Sequence, residues 1–427
     1  MWQNLRGVRE PQVVNMVGHD GYRWWMCVSM ATAAAFFVTA AAGQPSRSSS
    51  KVALYASVGG ELLTYSVDVE RATLTRQSSV TLPGFVQEAW ASSSTPFLYV
   101  AWSNGGASYN GSGVTPRGDR HGVTAFRVDA YGALRAQGAP ASLRSRPIYI
   151  TGDIPGRHLL VAYNDPSGIS VHTINTDGTV GSEVPQAGSL DVGIYGHQVR
   201  VVPTNRSVIL VTRGNQATAT TPEDPGAVKV FLYDEGKLTN VASIAPSKGI
   251  GFRSRHLDFH PTGPWVFLTL ESQNRLDVFR RMGDTLNAEP LFSKSTLAGG
   301  GGVTPGQTAS SIHVHPNGQF VYVANRGAAP TNVNGTPVSG GTNDIAVFRI
   351  NQETGEPTLI QNIDTRGFTP RTFALDPSGR MLVVGNQTTA NLAVFRIRAD
   401  GKLDFVKRYD ATVGRKPLWW MGLVALH

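Results

Sequence analysis

Five arginines, a histidine and a glutamate stand at matching places in a repeated pattern. Together they have the chemistry to hold an anion and move a proton. One set falls at the start of the first strand of each unit: Gln87, Arg146, His197, Arg255, Ser310 and Arg371, with Leu418 as its counterpart near the C-terminus. The other falls at the end of the second strand: Val58, Ser103, Asn164, Arg213, Glu271, Arg326 and Gln387. Residues that only packed would resemble one another at equivalent places, and these differ and are mostly polar. Guanidinium groups bind carboxylate and phosphate through a planar fork of donors. Crowded round one opening, they repel each other unless an anion joins them. The reading is an anion-binding pocket; the plainer alternative is that the arginines pair with acids on loops.

Within this set His197 and Glu271 are the candidates for proton transfer. Histidine titrates near neutrality, whereas arginine neighbours weaken a carboxylate as a base. His197 is therefore favoured as the base and Glu271 as the group that orients it or the water, with the reverse assignment open. His313 and His315 point to one face of a strand and could chelate, with His256 and His260 in the neighbouring unit. Calcium would need several carboxylates, and the two sets offer only Glu271, so neither a metal nor a cofactor is expected. His260 and His315 precede turn prolines, where a structural role is expected. The glycine run at 298–303 lacks the Lys-Ser/Thr and following helix of a phosphate loop and reads as a flexible loop.

These residues need a scaffold that brings distant positions to one place. Beyond Lys51 the chain shows short alternating β-type runs separated by Gly, Pro, Asn and Asp. RHLDFHPTGPWVFLTLESQNRLDVFRR from Arg255, SSIHVHPNGQFVYVANRG from Ser310 and RTFALDPSGRMLVVGNQTTANLAVFRI from Arg371 repeat one order: strand, Pro-x-Gly turn, strand, loop, VFR-like strand, last strand. Pro fixes φ and Gly supplies positive φ, so the turn joins two strands tightly. Second strands centred on Leu54, Tyr99, Leu160, Ile209, Phe267, Tyr322 and Val383 define seven units and an all-β, seven-bladed propeller. The first unit lacks its first strand, and PLWWMGLVALH at the C-terminus supplies an orphan one. Pairing of the N- and C-terminal strands is expected to close the ring.

The 427 residues include 47 Gly, 25 Pro and one Cys, with 16% charged. That excludes a disordered chain, a helical bundle and a disulfide scaffold. The net charge of +8 is spread without a basic run. A small anionic molecule is the expected partner, and nucleic acid is not. Residues 24–42, WWMCVSMATAAAFFVTAAA, follow Arg23 and end in Ala-x-Ala. They read as a secretory signal, with Met16 as an alternative start and a retained membrane anchor as the competing reading. Residues 1–43 are thus expected to be a cleaved signal peptide and 44–427 the propeller, exported and without stable membrane association. Cleavage would also remove Cys27 and leave a thiol-free chain, suited to an oxidising compartment.

At SRHLDFHP, LTLESQNRLDVF, IHVHPNGQFVYVANR, TPRTFALDPSGRMLVVGNQ and GHQVRVVP the chain resembles the lactonase-type seven-bladed propeller family. That family includes one bacterial form of 6-phosphogluconolactonase and fungal carboxy-cis,cis-muconate cyclase. The match is close from Tyr195 to His427 and looser from Lys51 to Tyr195, where Gly105 to His121 looks inserted. The resemblance implies a site made of His197, Arg255, Glu271 and Arg326, and Arg371 and Gln387 match further polar positions. Arg146, Arg213 and Asn164 complete the expected substrate contacts. The implied activity is hydrolysis of an anionic lactone, with Arg255 and Arg326 holding the anion and the oxyanion. The alternatives are a lactone-forming cyclase, or an exported propeller that binds a ligand or protein without catalysis.

Overall fold

The computed structural model describes residues 51–105, 117–300, 304–333 and 336–426. The expected signal peptide, most of the inserted segment after Gly105 and the end of the glycine run lie outside the described residues. Among the described residues seven antiparallel sheets of four or five strands follow one another along the chain. We number them as blades in chain order. Blade 1 holds Val52–Val58, Glu61–Asp68 and Thr73–Thr81. The innermost strands of blades 2 to 7 are Phe85–Ala91, Pro147–Gly152, Gly196–Val201, Ser254–Phe259, Thr308–Val314 and Pro370–Leu375.

Burial explains the strand order within a blade. The second strands, such as Phe97–Ser103 and Trp265–Leu270, are buried along their whole length. Each is covered on both faces by neighbouring blades, so it reads as a continuous apolar run. Outer strands such as Thr73–Thr81 and Leu403–Asp410 are largely exposed and carry the charges. The core is a ring of layers between blades. Leu54, Val58 and Leu63 of blade 1 pack with Met381, Val383 and Val394 of blade 7. Phe267 and Val278 of blade 5 pack with Ile312, Val323 and Phe348 of blade 6.

The expected closure is present. Leu418–Ala425 pairs antiparallel with Val52–Val58, from Val58 opposite Leu418 to Val52 opposite Ala425. The last segment of the chain is therefore the innermost strand of blade 1. The hairpin of Ala328–Val333 and Thr336–Gly340, between the second and third strands of blade 6, was not anticipated. Among the described residues no helix is long and apolar enough to cross a membrane.

Turns are latched from blade to blade. His260 accepts the Gly263 N–H on Nδ1 at 2.7 Å, which leaves the proton on Nε2 to meet the Gly318 carbonyl at 2.9 Å. His315 repeats the arrangement with Asn317 at 3.1 Å and Gly379 at 2.8 Å. These two histidines are structural, as their place before the turn prolines indicated.

One irregularity recurs in all seven blades. The innermost strand slips by a residue against the second strand near its site-facing end. In blade 4 Gly196 faces Thr212 and Gln198 faces Val211, so His197 is the extra residue. In blade 5 Arg255 and His256 lie within the slip, and in blade 7 Arg371 does. A β-bulge bends the strand and re-aims side chains. Here it turns the start of each inner strand toward the central channel.

Candidate active site

Glu271, just past the end of strand Trp265–Leu270, is the centre of the charged cluster. Its Oε2 accepts from Arg213 Nη1 of blade 4 at 2.8 Å. Its Oε1 accepts from Arg326 Nη2 of blade 6 and lies 3.3 Å from Nε of Arg255 in its own blade. Its backbone is fixed in the same way, with N–H donating to the Arg253 carbonyl at 2.8 Å and C=O accepting from Ala309 at 2.9 Å. Burial alone would raise the carboxyl pKa, but Arg213, Arg326 and Arg255 hold it well below the ordinary carboxylate range.

His197 is buried beside this cluster, and neither ring nitrogen has a hydrogen-bond partner among the described residues. Its nearest aromatic neighbour is His256, edge to face with ring centroids 5.0 Å apart. Burial and then the charge of Arg255 push its pKa well below the usual histidine value, so the ring is neutral near pH 7. His256 accepts from Arg255 Nη1 on Nδ1 at 3.3 Å and is depressed by the same two causes. Glu271 makes no hydrogen bond to His197 and acts on it only through its field.

A second pair of arginines stands round Trp419. The Arg371 guanidinium lies 3.8 Å from the centroid of the indole and that of Arg146 lies 6.0 Å from it. Burial, with Arg326 and Arg146 nearby, pulls the Arg371 pKa down to about 9, which leaves it charged at neutrality.

The structure thus gathers His197, Arg213, Arg255, Glu271 and Arg326 at one end of the channel, with Arg146 and Arg371 grouped round Trp419. Arg255 is only 1% exposed, so it is placed behind the others as a support for Glu271 and His256. Asn164, buried with both amide atoms unpaired, lines a side cavity beside the cluster. Gln387 is half-buried; its backbone joins Thr369 at 2.8 Å and the closing strand at Leu418 at 3.1 Å.

Several expected ring members are structural. Val58 and Leu418 are core residues packed against blade 7. The closing strand shows its channel side with Trp419, because the slip between Ala56 and Val58 shifts the register there. Ser310 hydrogen-bonds the Pro370 carbonyl at 2.8 Å, and Ser103 braces the Gly105 N–H at 2.9 Å.

Other residues were missed. Glu88 and His256 follow a ring position directly, and strict alternation sends such residues to the opposite face. Both line a cavity of 410 Å³ at the other end of the channel, with Tyr149, His313 and Trp420. Burial pushes Glu88 up to about 8, against the pull of Arg371 and Arg255. His313 sits 3.9 Å from Asp258, and among the described residues no group of His, Cys, Asp and Glu could hold a metal ion.

Fold and site together define a propeller enzyme with a cationic channel mouth. The family described as "Lactonase, 7-bladed beta-propeller" matches residues 50–419, and the chain belongs to it. It is a lactonase-type hydrolase. A 6-phosphogluconolactonase of Pectobacterium carotovorum is 27% identical over 352 residues, covering 82% of this chain and 91% of its own. The periplasmic gluconolactonase of Pseudomonas aeruginosa superposes with a TM-score of 0.64 at 20% identity, covering 88% of this chain and 100% of its own. A Bacteroides fragilis structure gives 0.67 at 19% identity, covering 89% of this chain and 100% of its own.

Proposed function

We propose that this lactonase hydrolyses a small anionic lactone of the 6-phosphogluconolactonase type at the mouth ringed by His197, Glu271 and the arginines. The observation that carries the reading is a neutral histidine beside guanidinium groups whose charge one carboxylate meets only in part. His197 takes a proton from water as the water attacks the lactone carbonyl. Arg326 and Arg371 face the developing oxyanion, where preorganised cationic donors act most strongly. The ring oxygen then leaves and receives the proton from His197, so lactone and water give a hydroxy acid. Glu271 is a poor base while three guanidinium groups hold it ionised. Its role is to fix Arg213, Arg255 and Arg326, and Arg255 in turn holds His256 against His197.

Hydrolysis is favoured over ring closure because the curated relatives carry hydrolase names. The test is a panel of lactones watched by acid release. An anionic lactone opened by the wild type and not by His197→Ala supports the reading, and a wild type inert on the whole panel overturns it.

We further infer that residues 1–43 direct export. The support is the basic residue, apolar run and Ala-x-Ala ending of that segment, and the periplasmic neighbour among solved structures.

A further inference from the structure

A cavity of about 930 Å³ opens beside the mouth, above blades 3 to 5. Its lining includes Asn164, Tyr195, Arg213 and Arg253. Arg253 stands just ahead of strand Ser254–Phe259, outside the repeating positions, so the periodic reading passed over it. It is 3% exposed, and among the described residues its guanidinium makes no hydrogen bond or ion pair. Asn164 is 2% exposed, and neither atom of its amide has a partner. Buried polar groups are nearly always satisfied, so two orphans on one cavity point to a ligand that satisfies them.

Among the described residues none of the acids around the cavity hydrogen-bonds Arg253, and Glu271 and Glu223 act on it only through their charge. Asp165 pairs with Arg117 at 3.0 Å, Asp224 accepts from Asn215 at 2.9 Å, and Glu223 accepts from the Gly251 N–H at 3.0 Å. Arg213 joins the cavity to the catalytic mouth. One side of it pairs with Glu271 at 2.8 Å, and its guanidinium lies 4.1 Å from the ring centroid of Tyr195. Tyr195 adopts a left-handed φ of 58°, a conformation that costs a bulky residue energy and is kept where the surroundings impose it. Arg253 is also tied to the mouth through its own carbonyl, which accepts the Glu271 N–H at 2.8 Å.

We propose that Arg253 and Asn164 form a subsite for an oxyanion substituent, phosphate or carboxylate, carried by the lactone away from its reacting carbonyl. The proposal rests on the lactonase reading and extends it. The central arginines serve the carbonyl, and Arg253 selects substrates with an anionic tail. A forked guanidinium and a carboxamide N–H suit either oxyanion.

The test compares δ-gluconolactone, its 6-phosphate and a carboxylate-bearing lactone as substrates of the wild type, Arg253→Ala and Asn164→Asp, with thermal melting to check folding. The ratio of kcat/KM for an anionic lactone over the neutral one should fall about 10- to 150-fold in each variant, chiefly through KM. The larger loss identifies the tail as phosphate or carboxylate. A ratio within twofold of wild type in both folded variants overturns the subsite. If the wild type opens no lactone, the parent reading fails and the subsite is judged by calorimetric titration with inorganic phosphate. Binding lost in Arg253→Ala then supports it, and no binding to wild type overturns it.

Discussion

Arg213 at the end of its blade-4 strand and Glu271 at the end of its blade-5 strand pair at 2.8 Å across a blade boundary. Arg326 reaches the same carboxylate from blade 6. One acid therefore pins three successive blades at the channel mouth. This is a buried network, where breaking a pair by removing one partner is far more damaging than its net worth implies.

Glu271→Gln should accordingly lose about 3–5 kcal/mol of stability by urea unfolding, because three guanidinium groups are left without their counter-charge. Arg213→Met removes one partner of three and should lose less. A Glu271→Gln protein as stable as wild type would mean that the network is not held by charge.

His197→Ala should lower kcat by roughly 100-fold or more with a smaller effect on KM. Because burial and Arg255 depress its pKa, the base stays deprotonated below pH 6.5, and the acid limb of kcat/KM should lie under that value. Arg280→Ala is the control, since Arg280 is exposed in the third strand of blade 5 and should leave the rate unchanged. An acid limb above pH 6.5 would exclude His197 as the titrating base.

Stability should fall with acid for the same residues. His197 and His256 bind protons in the unfolded chain below pH 6.5 and resist them when folded, so their contribution is present above 6.5 and lost as pH falls through the depressed values. Glu88 runs the other way. Its folded pKa near 8 exceeds the ordinary 4.5, so stability is full below 4.5 and is lost as pH rises toward 8. Glu88→Gln should therefore gain stability relative to wild type at pH 8 and not at pH 4.5, as read from urea midpoints.

Residues 1–50 fused to a reporter should carry it out of the cytoplasm, and the mature protein should begin near Gly43. N-terminal sequencing of the exported protein checks this, and full-length protein recovered from the soluble cytoplasm would sink it.

The repeat, the blade number and the ring closure were legible because second strands buried on both faces leave apolar runs at a regular interval. The charged cluster proposed as the site was legible for a related reason: His197, Arg213, Arg255, Glu271 and Arg326 break that repeat with polar side chains. What alternation could not give was the slip in every inner strand. It moved the channel position of the closing strand from Leu418 to Trp419 and brought Glu88 and His256 to the lower cavity. Arg253 was hidden because it belongs to a connection, where no period applies.

The closing strand also orders events during biosynthesis. Ser57 Oγ and the Trp420 carbonyl, 363 positions apart, meet at 3.2 Å. Trp419, beside Arg371 and Arg146, is made after every other described strand of the propeller, so the mouth is finished only once that strand has emerged. A chain cut short before Leu418 would be an open ring whose strand Val52–Val58 has a bare edge. Such an edge invites pairing with another chain, so truncated products of this gene should be cleared by proteolysis or lost to aggregates.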